Sequence, residues 1–341
     1  MRHLQKLFTR KFLEISFLLI IFLLLLLSAI LAISTGSASI PPGDVVNALL
    51  GNADTLTKTI VIDLRLGRVL LAIGTGLALG MSGCVVQSIF QNPLAEPYIL
   101  GISAGSVLGV LLSLVFLSSF EHLKYSAQLF SFIFALLTIV LVYRIASVGG
   151  TINPATLLLG GIAISALFSA ITSYLIYTTF SKNIATILFW TMGGFWQANL
   201  VSGILVFVVA LISGICMLLF WRELNALSLG DHFAMNVGVD VSRARTVLIA
   251  LVAFSVSFAV SFTGIIGFVG LVVPHIARSI VGGEHKKLLV YSGLVGALLL
   301  LWADILARTL IYGEELPVGI ITALLGVPFF LYLLFRRRRL C

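Results

Sequence analysis

The sequence predicts an all-α integral membrane protein with about ten transmembrane helices. Of its 341 residues, 60% are hydrophobic and only 10% are charged, whereas soluble domains carry about 25% charged residues. A soluble protein of this length also needs polar loops and polar helix faces, and these are missing over most of the chain. Most apolar segments are therefore expected to face lipid or one another.

Each predicted span is an apolar stretch of roughly 20 residues, the length that a helix needs to cross the hydrocarbon core with its backbone groups paired. The seventh and eighth stretches are divided only by residues 261–267. In order, the spans are predicted at residues 13–34, 67–87, 95–118, 126–145, 156–179, 199–221, 246–263, 265–281, 288–310 and 317–335.

The first stretch is interpreted as a transmembrane helix. Small residues follow it at 35–39, as in a signal peptide, but its apolar run exceeds the roughly 7–15 residues of a signal core. Residues 35–65 are polar enough to form a loop outside the bilayer, and Pro41 and Pro42 predict a short helix on the membrane surface. We expect one transmembrane domain over residues 1–341.

Glycines four residues apart predict close contacts between helices. Gly76 and Gly80 have this spacing, as do Gly101, Gly105 and Gly109, and glycine lets helix backbones approach closely in lipid. We interpret both sets as packing features rather than parts of a transport pathway.

The basic residues predict the orientation of the chain. With ten spans and the N-terminus inside, 15 Lys and Arg residues lie on the cytoplasmic side and six lie outside, which is the imbalance expected near span ends. Both termini are therefore predicted in the cytoplasm. No basic surface interleaved with aromatic residues accompanies the net charge of +8, so the expected partner is membrane lipid and not nucleic acid. The six outer residues are Lys58, Arg65, Arg68, Lys124, Lys182 and Arg308.

Motifs for catalysis and metal binding are missing from the sequence. It has no phosphate-binding loop, no His-Glu-x-x-His and no Cys or His cluster with ligand spacing. Cys84, Cys216 and Cys341 suggest no disulfide framework. We therefore expect no catalytic residue, no metal and no cofactor bound by this chain. If transport is driven by ATP, another chain must hydrolyse it.

The longest predicted cytoplasmic connection, residues 222–245, is a candidate docking element. Ser228 or Asp231 can cap a short helix over residues 232–236, Gly238 can end it in a left-handed conformation, and Asp240 or Ser242 can cap the next helix. Such a helix would present apolar side chains to a groove on a partner, although a solvated connector is equally consistent with the spacing. The candidate coupling residues are Leu229, Gly230, Asp231, His232, Phe233, Ala234, Met235, Gly238 and Val239.

This connection and further segments resemble the ABC importer permeases of the FecCD family, which move iron-siderophores, haem and cobalamin. Residues 91–97 and 99–105 match the family signatures Asn-Pro-Leu-Ala and Leu-Gly-x-Ser-x-Gly, and residues 267–278 are nearly identical to the family pattern. Gly67 stands where the family usually has proline, and Asn236 where it usually has an apolar residue. The other matching segments are residues 65–68, 303–308, 315–319 and 326–330.

The resemblance implies the type II ABC importer permease fold and a transport subunit rather than an enzyme. The family's permeases are homodimers around a substrate channel, capped by an extracytoplasmic substrate-binding protein. Two cytoplasmic ATPase subunits, which bind ATP and Mg²⁺, drive them.

An iron(III)-siderophore or similar metal chelate is the expected cargo, carried across the cell membrane by alternating access. Haem, cobalamin and molybdate are alternatives. A secondary transporter driven by an ion gradient is a further alternative, but it needs paired intramembrane carboxylates, and Asp304 is the single one we identify in the spans.

The resemblance also implies roles for residues at the outer face. Arg65, Arg68 and Arg308 match positions that dock acidic residues of the binding protein. The predicted topology places all three at the outer face, where we expect exposed charges that orient a partner more than they bind it tightly. For Arg308 the alternative is an intrahelical pair with Asp304, four residues earlier. Residues 189–196 resemble a short helix that covers the outer cavity, although tryptophans are also ordinary interfacial anchors.

Six residues are candidates for the channel and its inner gate. Three hydroxyl residues of the fifth span share one helix face, where they can line a wet path or bond to backbone carbonyls. Residues 150–155 align with the family's inner gate. The six candidates are Asn153, Pro154, Ala155, Ser165, Ser169 and Thr172.

Overall fold

The computed structural model describes residues 2–36, 40–116, 125–148, 151–179, 184–311 and 313–338, and these are almost entirely helical. A π-helical segment (Thr59–Leu66) and a 3₁₀ turn (Pro97–Leu100) interrupt the α-helices, and strands β1 (Ser147–Val148) and β2 (Thr151–Ile152) form a short antiparallel ladder. The helices are α1 (Arg2–Ser34), α2 (Pro42–Leu49), α3 (Thr55–Lys58), α4 (Gly67–Ile89), α5 (Ile102–Phe116), α6 (Ser126–Ala146), α7 (Pro154–Thr179), α8 (Ile184–Met192), α9 (Leu200–Leu219), α10 (Trp221–Leu227), α11 (Asp231–Asn236), α12 (Val241–Thr263), α13 (Val269–Val281), α14 (His285–Thr309) and α15 (Val318–Arg338).

The predicted fold class is confirmed. In the part of the chain that the structure describes, seven helical stretches are long and apolar enough to cross a bilayer, and three shorter apolar helices occupy the third, eighth and tenth predicted spans. Lys124, Gly150, Lys182, Cys341 and the end of the third predicted span lie outside the described residues.

The third and eighth spans begin later than predicted. Helix α5 starts at Ile102 rather than at residue 95, because Pro93 and Pro97 lack the N–H that continues a helix and Gly101 has a positive φ of 84°. Helix α13 starts at Val269 rather than at 265, after a break at residues 264–268. Both non-helical segments are mostly apolar, so hydropathy did not distinguish them from helix.

The predicted outer loop at 35–65 is more helical than expected. The short surface helix is confirmed as α2, but Thr55–Ile89 is a continuous helical stretch that includes the π-helical segment. It starts at Asp54, whose carboxylate accepts a hydrogen bond from the Thr57 backbone N–H at 3.3 Å. The hydrogen bonds from Thr57 also lower the pKa of the Asp54 carboxyl.

Helix α4 is the central helix of the bundle. It packs against α14, α9, α12 and α13, and 19 of its residues are buried. A Cβ at Gly76 would collide with the Gly296 carbonyl oxygen, and one at Gly80 with that of Ser292. The predicted packing role of these glycines is therefore confirmed, because only a residue without a side chain lets α14 approach this closely.

Helices α1 and α7 bury much less of their surface than α4 does. On α1, large apolar side chains such as Leu23 and Leu27 are exposed. Helix α7 contacts α5, α6 and the 3₁₀ turn, and it exposes Leu159, Ile162 and Tyr174. These surfaces require lipid or another protein chain to cover them.

Candidate functional site

The connection between α9 and α12 folds into the two short helices α10 and α11. Neither Ser228 nor Asp231 caps α11 as predicted, since Gly230 (φ 114°) occupies the N-cap position and Asp231 is the first helical residue. Asp240 does cap α12, accepting a hydrogen bond from the Arg243 N–H at 3.0 Å. We call this part of the bundle the α11 end.

Gly238 ends α11 in the left-handed conformation that the sequence predicts. Its φ is 85°, its N–H donates to the Met235 carbonyl at 3.0 Å, and the Val239 N–H donates to the Ala234 carbonyl at 2.9 Å. This pair of bonds is a Schellman motif. The motif holds Val239 and the start of α12 in a defined direction relative to α11.

Three of the apolar side chains assigned to docking are exposed at the α11 end. Leu229, Phe233 and Met235 are exposed, whereas Ala234 is completely buried. Ala234 therefore supports the helix from below and does not belong to a contact surface, contrary to the prediction. The docking role of the exposed residues stays a prediction.

Five of the nine predicted coupling residues line one cavity together with the predicted gate residues Asn153, Pro154 and Ala155. The cavity has a volume of about 660 Å³ and lies between α11, the start of α7 and the segment after α4. Asn153 starts α7, with its side-chain oxygen accepting a hydrogen bond from the Ala155 N–H at 2.8 Å. The lining residues are Phe90, Gln91, Asn92, Asn153, Pro154, Ala155, Leu158, Leu229, Gly230, Asp231, His232 and Phe233.

Asp231 is the polar centre of the α11 end. Its Oδ1 accepts hydrogen bonds from Arg245 Nη2 at 2.7 Å and from Gln91 Nε2 at 3.3 Å. The Arg245 side chain is almost fully buried, whereas Asp231 is partly exposed. This carboxylate therefore joins α11 to α12 and to the segment that follows α4.

The hydroxyl residues of α7 differ in their surroundings. Ser169 is exposed and Ser165 is half-buried. Thr172 Oγ1 is buried, with no hydrogen-bond partner among the described residues. Ser173 donates to the Ser169 carbonyl at 2.9 Å, as in the backbone-bonding alternative. The predicted channel role of Ser165, Ser169 and Thr172 stays a prediction.

At the opposite end of α4, the three predicted docking arginines lie together. They line a cavity of about 220 Å³ with Trp196 and Glu315. Arg65 donates to the carbonyls of Ile33 and Ser34 at 2.9 and 3.2 Å. We call this part of the bundle the arginine end.

Asp304 connects two of the arginines. Its carboxylate lies 2.8 Å from Arg68 Nε and 3.0 Å from Arg308 Nη2, and Arg68 Nη1 lies 2.8 Å from Glu315. Exposure is only 12% for the Arg68 side chain and 6% for that of Arg308, while Asp304 is completely buried. The intrahelical pair expected as the alternative for Arg308 is therefore present.

The arginines were expected as exposed charges, and the structure corrects this. They lie mostly inside the chain, and Glu315, which sequence analysis did not select, is the most exposed partner in the cluster at 47%. The sequence contained a signal for Glu315, because this residue begins the Glu-Leu-Pro segment before α15, which matches the family pattern. Whether the arginines contact a binding protein stays a prediction.

Sequence analysis also overlooked Glu96. It lies inside the third predicted span, where an acidic residue is uncommon, and so Asp304 was not the single carboxylate of the predicted spans. In the structure Glu96 precedes the 3₁₀ turn in the non-helical segment between α4 and α5.

Comparisons with known proteins agree over most of the chain. The FecCD transport family matches residues 23–336. The hemin transport system permease protein HmuU of Yersinia pestis is 41% identical over 319 residues, which cover 92% of this chain and 95% of that protein. The iron-uptake system permease protein FeuC of Bacillus subtilis is 33% identical, with coverage of 93% and 96%.

A cobalamin relative and two solved structures add to this. The cobalamin import system permease protein BtuC of Halobacterium salinarum is 39% identical over 81% of this chain and 73% of that protein. A metal-chelate type ABC transporter in an inward-facing conformation superimposes with a TM-score of 0.82, at 33% identity, over 94% of this chain and 99% of that chain. PsaBC from Streptococcus pneumoniae, at 19% identity and a TM-score of 0.56, shares the fold alone, over 85% of this chain and 94% of that chain.

Proposed function

Because this chain belongs to the FecCD transport family, we propose that it is the membrane-spanning permease of an ATP-driven importer for an iron(III)-siderophore or similar metal chelate. Relatives named for hemin, iron and cobalamin support a chelate cargo. Haem, cobalamin and molybdate are the alternative cargoes. In this function the permease binds no ATP, and a separate subunit supplies hydrolysis.

The partners we propose are a second copy of this chain, two ATPase subunits and an extracytoplasmic binding protein. The poorly covered surface of α7 supports a second copy, because its exposed face carries both apolar residues and hydroxyls. The excess of basic residues near the predicted inner span ends supports placing the α11 end in the cytoplasm, together with both termini. The arginine end then faces the binding protein.

The cavity between α11 and the start of α7 is the main support for this proposal. Candidate residues that were chosen separately, for coupling on α11 and for gating at the start of α7, line the same cavity. A subunit that binds the exposed side of α11 can therefore change the shape of the path beside α7. Such a contact lets a rigid-body movement outside the membrane favour one of two channel states.

Reconstitution tests the proposal. The chain is coexpressed with its ATPase, reconstituted in liposomes, and supplied with the binding protein and a panel of radiolabelled ferric siderophores, haem and cobalamin. We expect uptake of one class of chelate that requires both ATP and the binding protein. A nonhydrolysable ATP analogue and omission of the binding protein are the controls, and uptake driven by an ion gradient without ATP contradicts the proposal.

A channel along α7 predicts that a cysteine at position 169 reacts with a charged thiol reagent. The thiolate is the nucleophile that attacks the reagent. Its formation requires water, and a thiol surrounded by lipid tails stays protonated. In a chain whose native cysteines are replaced by serine, Ser169→Cys is expected to react rapidly. Leu23→Cys, on the 56% exposed position of α1, is the lipid-facing control. Equal and slow labelling of both variants contradicts the channel assignment.

A further inference from the structure

The non-helical segment between α4 and α5 consists of turns followed by a 3₁₀ turn. We call residues 91–101 the connector. It begins at Gln91, with a φ of 49°, and ends at Gly101, with a φ of 84°. Within a membrane, backbone N–H and C=O groups that make no helical hydrogen bonds need partners from other protein segments or from water. The hydrogen bonds of the connector therefore identify the segments that hold it in place.

The first end of the connector is bound to α11 and α12 together. Gln91 donates to the Asp231 carboxylate, and Arg245 of α12 donates to the same oxygen. The Arg245 side chain is almost completely buried, which fixes the position of this ion pair. A movement of α11 therefore acts on the connector and on the start of α12 at the same point.

The other end of the connector is bound to the far end of α12. The Tyr98 hydroxyl donates to the Ile266 carbonyl at 3.2 Å and accepts from the Ile266 N–H at 3.3 Å. Ile266 and Phe268 belong to the break between α12 and α13, and Phe268 has a φ of 68° that is uncommon for a large residue. The connector and α12 are thus joined at both ends.

This closed arrangement also touches α7. A Cβ at Gly161 would collide with the Ile99 carbonyl oxygen, and a Cβ at Gly101 would lie 3.2 Å from Ser165 Oγ. Helix α7 also packs against α5 and α6, and its remaining surface is weakly covered in the described chain. The connector therefore lies directly between the α11 end and the helix that carries the candidate channel residues.

We propose that α12 and the connector move as one frame that carries the movement of α11 to α7, and that Tyr98 is the positioning residue that keeps this frame closed. The inference rests on the proposed function, because it describes how ATP hydrolysis reaches the channel. Tyr98 acts on the backbone of Ile266 and does not contact the cargo. If the Tyr98 hydroxyl is removed, the far end of the connector separates from α12. Helix α11 can then move without moving α7.

The test compares two tyrosines whose hydroxyls each form a hydrogen bond to a distant segment of the chain. Tyr98→Phe opens the frame, whereas Tyr143→Phe removes the 3.1 Å bond between Tyr143 and Thr246, which joins α6 to α12 and does not hold the connector on α12. In liposomes containing the ATPase, Tyr98→Phe is expected to lower chelate uptake per ATP hydrolysed by about fivefold or more, the range of typical coupling between two sites. ATP hydrolysis is expected to persist, and Tyr143→Phe to retain the wild-type ratio.

A second variant and an exchange measurement test the frame independently of uptake in Tyr98→Phe. Gln91→Gly removes the exposed side chain at the first end of the frame, leaves the positive φ accessible, and is expected to lower the same ratio. In Tyr98→Phe, hydrogen–deuterium exchange at residues 264–268 is expected to become faster. An unchanged uptake ratio in Tyr98→Phe, or an equal loss in Tyr143→Phe, overturns the frame. If Tyr98→Phe does not assemble, an unchanged ratio in Gln91→Gly overturns it. A wild-type protein without ATP-dependent uptake refutes the proposed function instead.

Discussion

Replacement of Gly238 by valine is expected to reduce ATP-driven uptake by about tenfold or more while the chain still inserts and binds its ATPase. The left-handed conformation of Gly238 costs a β-branched residue about 1–3 kcal/mol, and about 1.4 kcal/mol corresponds to a factor of ten. No atom lies within 4 Å of a Cβ built at this position, so the effect arises from the backbone and not from a collision.

The strain has a specific structural consequence. A valine at position 238 is relieved when the Schellman hydrogen bonds to Met235 and Ala234 break, and the direction of the chain from α11 into α12 is then lost. The surface that binds the ATPase can remain, but its movement no longer reaches α12. Hydrolysis should therefore continue while uptake falls, and both are measured in the same liposomes.

Gly51→Val is a matched control. Gly51 has a φ of 84°, no neighbour within 4 Å of a Cβ, and the same pair of C-terminal bonds, to Ala48 and from Asn52 to Asn47. It ends α2, away from the α11 end. Equal loss of uptake in both variants, or normal uptake in Gly238→Val, contradicts a coupling role for this turn.

Replacement of Asp304 by asparagine is expected to destabilise the chain strongly. The carboxylate is completely buried and lies against the guanidinium groups of Arg68 and Arg308. Removing one partner of a buried ion pair leaves uncompensated charge and costs about 3–5 kcal/mol. We expect a large decrease in the midpoint of thermal unfolding in detergent and a smaller amount of assembled protein.

Glu315→Gln is the comparison for Asp304→Asn. Glu315 also binds Arg68 at 2.8 Å but is 47% exposed, so water can replace it. Exposed ion pairs contribute about 0–1 kcal/mol, and we expect little change in the unfolding midpoint. Equal stability of the two variants would contradict a structural role for the buried pair.

The arginine end also limits how a binding protein can use these arginines. Arg68 and Arg308 share Asp304, and Arg65 binds backbone carbonyls near the end of α1. An incoming carboxylate can reach Arg68 most easily by displacing the exposed Glu315. When a carboxylate of the binding protein replaces Glu315 on Arg68, we expect a larger effect on the orientation and association rate of the binding protein than on its affinity.

The span pattern was predictable because each transmembrane helix is made of one continuous apolar stretch. The same property explains why residues 95–101 and 264–268 were wrongly predicted as helix. Both segments are mostly apolar, but they are paired differently from a helix. The Tyr98 hydroxyl pairs the backbone of Ile266, and turn hydrogen bonds such as the one from the Gly101 N–H to the Tyr98 carbonyl pair the other segment. Hydropathy measures the environment of a segment and not its hydrogen-bond pattern.

The sequence by itself determined the all-α membrane fold, the family, the left-handed turn at Gly238 and the end of the bundle where the arginines lie, because these depend on local composition and short motifs. Only the tertiary structure decided that the arginines are bound internally, that α11 and the start of α7 share a cavity, and that the connector is tied to both ends of α12. The contacts of Arg68 reach residues 236 and 247 positions away. Such pairs depend on how the helices pack, and no periodicity along the chain records that packing.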